Sequence, residues 1–579
     1  MIDYAAIDSV IGENWYLLDP DLQARVRRDA PAEDLEWAER KLTEFGELVG
    51  GPIARNSETV DANPPRLVKY DRWANDVDEI AHHPAALETK RLLWEVGYVS
   101  GFAADERERG RTTPAVVLAG VHYLLSQADT GMVCSLGMTS GVAGLVEAYG
   151  PPDVRDRLLE GLRATDFEKG TDGSMFLTER DGGSDLGRTV HCVAKDIGDG
   201  RVLISGEKWF CSNIDGEAIV MLARPEGAPD GPGGIGLYLV PRHLEDGTRN
   251  SYRIRRLKDK LGTKSVPTGE VVFEDALGYA LRPRREDGTL SDSDAGGLNR
   301  MMEMVNGSRF GVAMMGLGIA RRCFLEAAVW AHHREAKGRL LVDLPLMREQ
   351  LVDLLVELEA AFALGFECAA AGRQENGLLL RRVLIPAAKV RLCRFGVEAA
   401  SAAIETLGGN GYCEDWHLTR QLRDAQCHPI WEGTENICAL DVLRAIRRDG
   451  AHTALLARID RALEAARGGA PGFVQPAVAR IGEAREELAA RIDKIDAVDL
   501  DRTHANAGRL THLVCRVTAA ALLAEQAVDD NRKGLVTVRY VRKNLAPEEA
   551  WDDQTAAVAG REMLAFAEID DKTAERAAA

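Results

Sequence analysis

Trp431-Glu432-Gly433-Thr434-Glu435-Asn436 places one carboxylate between a large aromatic ring and a glycine, in a region otherwise written as helix. A carboxylate on a tight connection beside a bulky apolar ring loses hydration, which raises its pKa and makes it a better base near neutral pH. The same residues also serve a solvated loop glutamate next to a packing tryptophan. Upstream, Phe176-Leu177-Thr178-Glu179-Arg180-Asp181-Gly182-Gly183-Ser184-Asp185 offers hydroxyls at Thr178 and Ser184. Its glycine pair frees backbone N–H groups to turn toward an acceptor such as a phosphate or a flavin edge, although Asp-Gly-Gly-Ser is equally an ordinary turn. Gly206-Glu207-Lys208-Trp209-Phe210-Cys211-Ser212-Asn213 reads as a strand with two adjacent rings. Either one ring packs in a core, or the pair forms a plate against a planar cofactor. Arg309, at a predicted helix start, and Arg334, in a later helix, carry forks suited to phosphate or pyrophosphate.

These residues need a scaffold that changes character along the chain. Residues 1–173 read mainly as helix, with Asn63-Pro64-Pro65 and His83-Pro84 as loops or helix starts. The stretch 115–148 is apolar and rich in glycine, as buried helices are. Short β-branched runs at 189–194, 201–209, 219–223, 235–240 and 270–273 predict a β domain, a barrel or sandwich, within 174–290. Helical periodicity returns over 291–448 and breaks at 408–434. Residues 449–579 form an extra helical region: beyond Gly468-Gly469-Ala470-Pro471-Gly472, a linker or sharp turn, about three further helices and a fraying alanine-rich tail are predicted. The expected class is α+β multidomain. No Gly-x-Gly-x-x-Gly follows a strand, so a doubly wound nucleotide fold is excluded.

Composition bounds the partners. The 579 residues are 45% hydrophobic and 28% charged, with a net charge of −19, which argues against a general polyanion binder. No run of about 18 apolar residues and no basic start with an apolar core is evident, so neither a membrane span nor a signal peptide is expected. Ten scattered cysteines without Cys-x-x-Cys predict reduced thiols in a cytoplasm, and no metal site is expected.

In order, the segments 178–185, 206–213, Arg334, 408–411 and 432–434 resemble the acyl-CoA dehydrogenase family over about residues 80–448. That family carries a Thr-Glu-x-x-x-Gly-Ser-Asp loop, a Gly-x-Lys-x-x-x-[Thr/Ser]-Asn strand, a helix arginine, a Gly-Gly-x-Gly loop and a Glu-Gly-Thr segment. Asn63-Pro64-Pro65-Arg66-Leu67-Val68-Lys69-Tyr70-Asp71, the segment 256–262, and Gly409-Asn410-Gly411-Tyr412-Cys413-Glu414 are similar to its AidB-like, alkylation-response branch, which also has an extra C-terminal helical region.

The resemblance implies FAD as cofactor. Leu177, Thr178, Gly183 and Ser184 would contact isoalloxazine and pyrophosphate, and Phe210 and Ser212 would cover the ring. Arg334 would reach the pyrophosphate of a neighbouring subunit, Gly408 and Gly409 would admit the cofactor, and Thr434 would lie at the flavin. Ser184, Arg309, Trp431 and Gly433 would meet the acyl-CoA. Glu432 falls at the family's base, which takes the α-proton of an acyl thioester while the β-hydride passes to flavin N5. Some members place the glutamate before the arginine matching Arg309, where this chain has Ser308. Arg180, Lys337 and Glu405 depart from the family pattern at cofactor positions.

The expected activity is FAD-dependent α,β-desaturation of acyl-CoA by a homotetramer or homodimer that passes electrons to an electron-transferring flavoprotein. The alternatives are an AidB-like DNA-associated flavoprotein with weak dehydrogenase activity, and an oxidase or monooxygenase on the same fold. The dense basic cluster Arg532-Lys533 with Arg539 through Lys543 is the candidate DNA contact or, equally, a solvated face.

Overall fold

The computed structural model describes residues 2–287, 289–373, 376–495, 500–528, 530–545 and 555–578. Contacts group the chain into two compact units that cut across its linear order: residues 52–113 with 129–308, and residues 1–51 with 114–128 and 309–579.

The first of these units is built on a β-barrel. Strand Val193–Gly198 pairs with Arg201–Ser212, which pairs with Thr268–Ala280, then Gly236–Pro241, then Ala218–Pro225. Ala218–Pro225 returns in parallel to Val193–Gly198, so the ladder closes on itself and those five strands keep no free edge. Gly173–Phe176 bridges Arg201–Ser212 and Ala218–Pro225, and Tyr252–Leu257 extends the sheet from Thr268–Ala280. Alternation along a strand sorts the two faces. Ile219, Met221 and Ala223 join Phe176, Ile204 and Tyr238 in one cluster. Val220 and Leu222 pack instead with Val142, Val146 and Leu158 of the helices Thr130–Tyr149 and Pro152–Leu162.

Two elements here correct the sequence reading. The segment after Asn63-Pro64-Pro65 is a β-hairpin, Arg66–Tyr70 against Asp76–Ala81. Buried Asp78 anchors it by accepting from Lys69 Nζ at 2.6 Å and from the Ile254 N–H at 2.8 Å. Strand Tyr252–Leu257 was hidden by its three arginines, although Tyr252 and Ile254 are buried and alternate with them. The helix Thr130–Tyr149 also corrects the expectation that no segment reaches the length and hydropathy of a membrane span. It is 20 residues long and apolar, and most of it is buried, as a core helix is.

The other unit is helical. Helix Gly297–His333 belongs to it from Arg309 onward, with Pro345–Ala370, Gly377–Leu407, Leu418–Ala425 and Glu435–Asp449. Beyond these comes His452–Gly469 and then, past the glycine-rich segment, five helices among the described residues where about three were expected: Gln475–Asp493, Leu500–Gln526, Asn531–Asn544, Thr555–Leu564 and Asp571–Ala578. The glycine-rich segment at 468–472 is a tight turn, in which Gly469 still belongs to a helix and packs close to Val528. The expected fraying tail is the docked helix Asp571–Ala578, with Ala574 and Ala577 fully buried.

Three cations of the basic cluster, Arg532, Lys533 and Arg539, face inward. Glu359 is buried and accepts from both Arg532 and Lys533, whose ammonium also reaches Asp21 at 2.6 Å. Arg532 lies over the Phe566 ring at 4.0 Å, and Arg539 donates to Asp353 and Glu349 at 2.7 Å. These three cations are spent on internal carboxylates rather than on a solvated face, while Lys543 at the end of the cluster stays exposed, 3.5 Å from Asp353 and Glu357.

Candidate functional site

Helix Leu418–Ala425 runs out through a series of turns before helix Glu435–Asp449 begins with Thr434 at its N-cap position. Two consecutive residues in that connection have positive φ, Glu432 at +56° and Gly433 at +103°. Glycine adopts such angles freely, whereas a left-handed glutamate costs about 1–2 kcal/mol and persists only where its surroundings hold it.

Two buried cations do the holding. Arg309 Nε donates to the Glu432 carbonyl at 2.9 Å while its Nη1 meets Asp441 Oδ2 at 2.6 Å. Arg382 and Arg444 also donate to Asp441, at 2.9 and 3.2 Å, so that carboxylate anchors three guanidiniums. Lys389, fully buried on helix Gly377–Leu407, donates to the carbonyls of Pro429 at 2.8 Å and Gly433 at 2.5 Å.

The Glu432 side chain is treated differently from its backbone. Its carboxylate accepts no hydrogen bond from any described residue. It keeps part of its area open to solvent, yet protein atoms crowd it enough that desolvation pushes its pKa up to about 7, against the opposing charges of Arg309 and Lys389. A carboxylate with that proton affinity is half-ionised near neutral pH and suited to accept a proton from carbon. The Trp431 ring sits half-buried beside the imidazole of His428, centroids 5.9 Å apart. His428 is wholly buried and uncharged, its pKa driven down to about 3 by burial and by Lys389.

Two expectations for this unit change. Arg309 does not open a helix; it lies within Gly297–His333, is 5% exposed, and is committed to the backbone of Glu432 and to Asp441. Arg334 lies one residue beyond that helix rather than on it, exposed at the foot of a small hairpin, with Lys337 and Gly338 forming the positive-φ turn. Gly408 and Gly409 stand exposed at the end of helix Gly377–Leu407, Gly408 at φ +65°, with open space where side chains would be. Thr434 is also exposed.

The barrel unit gathers the other residues. Leu177 and Thr178 follow strand Gly173–Phe176, and the Thr178 carbonyl accepts from the Trp209 N–H at 2.9 Å. Gly183 packs so tightly that a Cβ would fall 2.5 Å from Thr178 Oγ1, and Ser184 beside it is exposed. Ser212 Oγ lies 2.9 Å from Thr268 Oγ1. Neither ring of the Trp209-Phe210 pair enters the core: Phe210 is 54% exposed, and Trp209 lies under the Lys258 ammonium at 3.6 Å. Arg180, a departure from the family pattern, pairs with Glu207 at 2.8 Å and covers Trp209. Ser308 donates to the Met304 sulfur at 3.1 Å.

The sequence reading missed the supports. Lys208 is 1% exposed and donates to Leu177 O at 3.1 Å and Glu179 Oε1 at 2.7 Å. Glu179 in turn accepts from the N–H groups of His191 and Cys192, so this buried pair pins both ends of the glycine loop. Lys389, Asp441 and His428 were missed as well. Lys389 did carry a signal, since Ile385, Pro386, Leu392 and Cys393 around it mark a buried helix face.

The sequence matches three family models: the AidB adaptive response protein N-terminal domain over residues 7–169, the acyl-CoA dehydrogenase middle domain over 174–276, and the acyl-CoA dehydrogenase C-terminal domain over 295–447. AidB of Escherichia coli is 32% identical over 457 residues, covering 75% of this chain and 78% of that protein. Acyl-CoA dehydrogenase family member 11 of Caenorhabditis elegans is 29% identical over 447 residues, or 74% of this chain and 70% of that protein. Among solved structures, Caenorhabditis elegans ACDH-11 in complex with C11-CoA aligns over 95% of both chains with a TM-score of 0.85 and 26% identity. The chain therefore belongs to the acyl-CoA dehydrogenase family, in its AidB-like branch.

Proposed function

We propose that this protein is an FAD-dependent dehydrogenase of acyl-CoA thioesters, with Glu432 as the base that takes the α-proton. The observation that carries the reading is a crowded carboxylate with no hydrogen-bond donor among the described residues, held at positive φ by Arg309 and Lys389. FAD would supply the acceptor for the β-hydride. The residues present fit such a group. Within the barrel unit, Thr178, Gly183 and Ser184 offer hydroxyls and bare backbone on an exposed loop and Phe210 offers an uncovered ring; within the helical unit, Gly408 and Gly409 leave open space beside the chain. A solved acyl-CoA dehydrogenase of the same fold, from Bacillus anthracis, is complexed with FAD (TM-score 0.70, 16% identity).

Desaturation needs an acceptor for a weakly acidic proton. Glu432 meets that need because its proton affinity lies near neutrality, and its turn keeps the carboxylate from drifting. The Cys438 N–H is taken by the Thr434 carbonyl as helix Glu435–Asp449 begins. The Glu432 N–H precedes that helix, where a thioester oxygen gaining charge would find a donor. The substrate class follows the C11-CoA complex of the worm relative, and the electron acceptor would be an electron-transferring flavoprotein. Arg334, exposed at its hairpin, would serve the cofactor of a second copy in a homo-oligomer.

The test is anaerobic. Purified protein should be yellow, and a panel of acyl-CoA chain lengths should bleach it. If no thioester in the panel reduces the flavin, the dehydrogenase reading fails.

A further inference from the structure

The cations and carboxylates around the base turn do not pair off evenly, and the remainder is informative. Arg309, Arg382 and Arg444 share Asp441, and Arg382 also reaches Asp449 at 2.8 Å. Glu435 is matched by Arg394 at 2.7 Å. His428 is neutral, and burial pushes the Cys438 thiol up so that it too stays neutral. Two groups are left over. Lys389 is a fully buried ammonium whose hydrogen-bond partners among the described residues are both carbonyls, and Glu432 is a crowded carboxylate with no donor among the described residues.

Burying an ammonium without a carboxylate is strongly unfavourable. A neutral glutamine could staple the same two carbonyls without that cost. The charge must therefore be offset by something, and among the described residues Glu432 is the remaining anion within its field. We propose that Lys389 is the positioning residue of the base turn: its ammonium grips the carbonyls on either side of Glu432 and supplies the countercharge that keeps the carboxylate ionised and ready to accept a proton. Arg309 shares the grip, through the carbonyl of Glu432 itself, but its guanidinium is already balanced by Asp441. Burial and countercharge then oppose one another. Desolvation alone would leave Glu432 protonated and idle at neutral pH; the ammonium restores an ionised fraction without donating a hydrogen bond that would blunt the base.

This inference rests on the reading of Glu432 as the base for its effect on rate, but not for its effect on ionisation, so two measurements separate the failures. In the first, urea unfolding is followed from pH 5 to 9 for the wild type, Glu432→Gln, Lys389→Met and the double variant. The difference with and without Glu432 gives the ionisation midpoint of that carboxyl in the folded state. Lys389→Met should move the midpoint upward by about one pH unit, whereas Lys389→Arg should leave it in place. In the second, acyl-CoA-driven flavin reduction should fall about tenfold more at pH 6.5 than at pH 9 in Lys389→Met.

An unmoved midpoint overturns the proposal, even if the rate falls, because a mere loop staple would lower the rate at every pH. A moved midpoint in a protein that no acyl-CoA reduces keeps the proposal and sinks the dehydrogenase reading. Lys389→Gln, which retains N–H donors without charge, is the second variant. Failure of both Met and Gln forms to fold would assign the lysine to the fold and overturn its role at the base.

Discussion

Two glutamates of the helical unit, Glu326 and Glu432, are both crowded by protein, and they are held in opposite states. Burial would raise the proton affinity of Glu326, but His417 at 2.6 Å and Arg322 at 2.7 Å outweigh it and hold the carboxyl at about 2. Arg322 is itself stacked 4.4 Å over the Trp15 ring, so the pair is locked into the helix packing. At Glu432 burial wins and the value rises to about 7, because the nearby cations are turned to backbone carbonyls and to Asp441 instead of to the carboxylate. The two differ less in depth than in where the hydrogen bonds of their neighbours point. Donors aimed at a carboxylate make it a structural anchor, whereas donors aimed at the backbone beneath it leave it reactive.

The largest effect expected from breaking this contrast is on rate. Glu432→Gln keeps size and position but removes the proton acceptor, so flavin reduction by acyl-CoA should fall about 10²–10⁴-fold while the bound flavin stays yellow. Stopped-flow bleaching under anaerobic conditions measures it. A variant within threefold of wild type would remove Glu432 from the chemistry. The matching change, Glu326→Gln, should act on stability instead. It leaves buried Arg322 and half-buried His417 without their anion, a loss of about 3–5 kcal/mol visible in the urea midpoint. The pH dependence of whatever rate remains should be unchanged.

The sequence showed one side of this contrast and hid the other. The turn at Glu432 was legible because a turn is written in residue types, a glycine after the glutamate in a chain otherwise periodic for helix, whereas its expected part as a base came from the family resemblance. The barrel was legible for the same reason, since alternation and turn dipeptides are local. What stayed hidden depended on distant partners. Nothing in Arg532-Lys533 says that Glu359 and Asp21 will enclose it, so a charge run that reads as solvated turned out to be interior. The internal role of Arg309 was hidden as well, because its partner, the carbonyl of a residue 123 positions away, has no sequence signature. The hairpin Arg66–Tyr70/Asp76–Ala81 was obscured because its anchor, Asp78, is satisfied from Ile254 as well as from Lys69 beside it.

The comparison also predicts opposite pH signs. The folded-state value of Glu432 lies above its ordinary 4.5, so the folded protein holds this proton more tightly than the unfolded chain does. Its contribution is fully present below about pH 4.5 and is lost as pH rises through about 7, a change on the order of 3 kcal/mol. Relative to wild type, Glu432→Gln should therefore gain stability at pH 8 and lose that advantage at pH 5. For Glu326 the folded value is depressed, so its contribution is present above about 4.5 and lost as pH falls through about 2. Equilibrium unfolding at pH 5 and 8 checks the first sign. A Glu432→Gln advantage that grew toward acid would contradict the raised value.

The smallest predicted effect probes the backbone that makes the difference possible. Glu326 sits in regular helix and needs no special conformation, whereas Glu432 depends on its neighbour Gly433 at φ +103°. An alanine there is strained whatever the space, and its Cβ would also approach Ile437 Cγ2 at 3.1 Å, tighter than ordinary contact. Gly433→Ala should cost about 1–2 kcal/mol in unfolding free energy. Because the Gly433 carbonyl is one of the two gripped by Lys389, relief of that strain would shift the turn and lower the reduction rate. The ionisation midpoint of Glu432 should move far less than in Lys389→Met, since the charges remain. A Gly433→Ala protein of wild-type stability and rate would mean that the turn tolerates other geometries, and that the reactivity of Glu432 comes from its crowding alone.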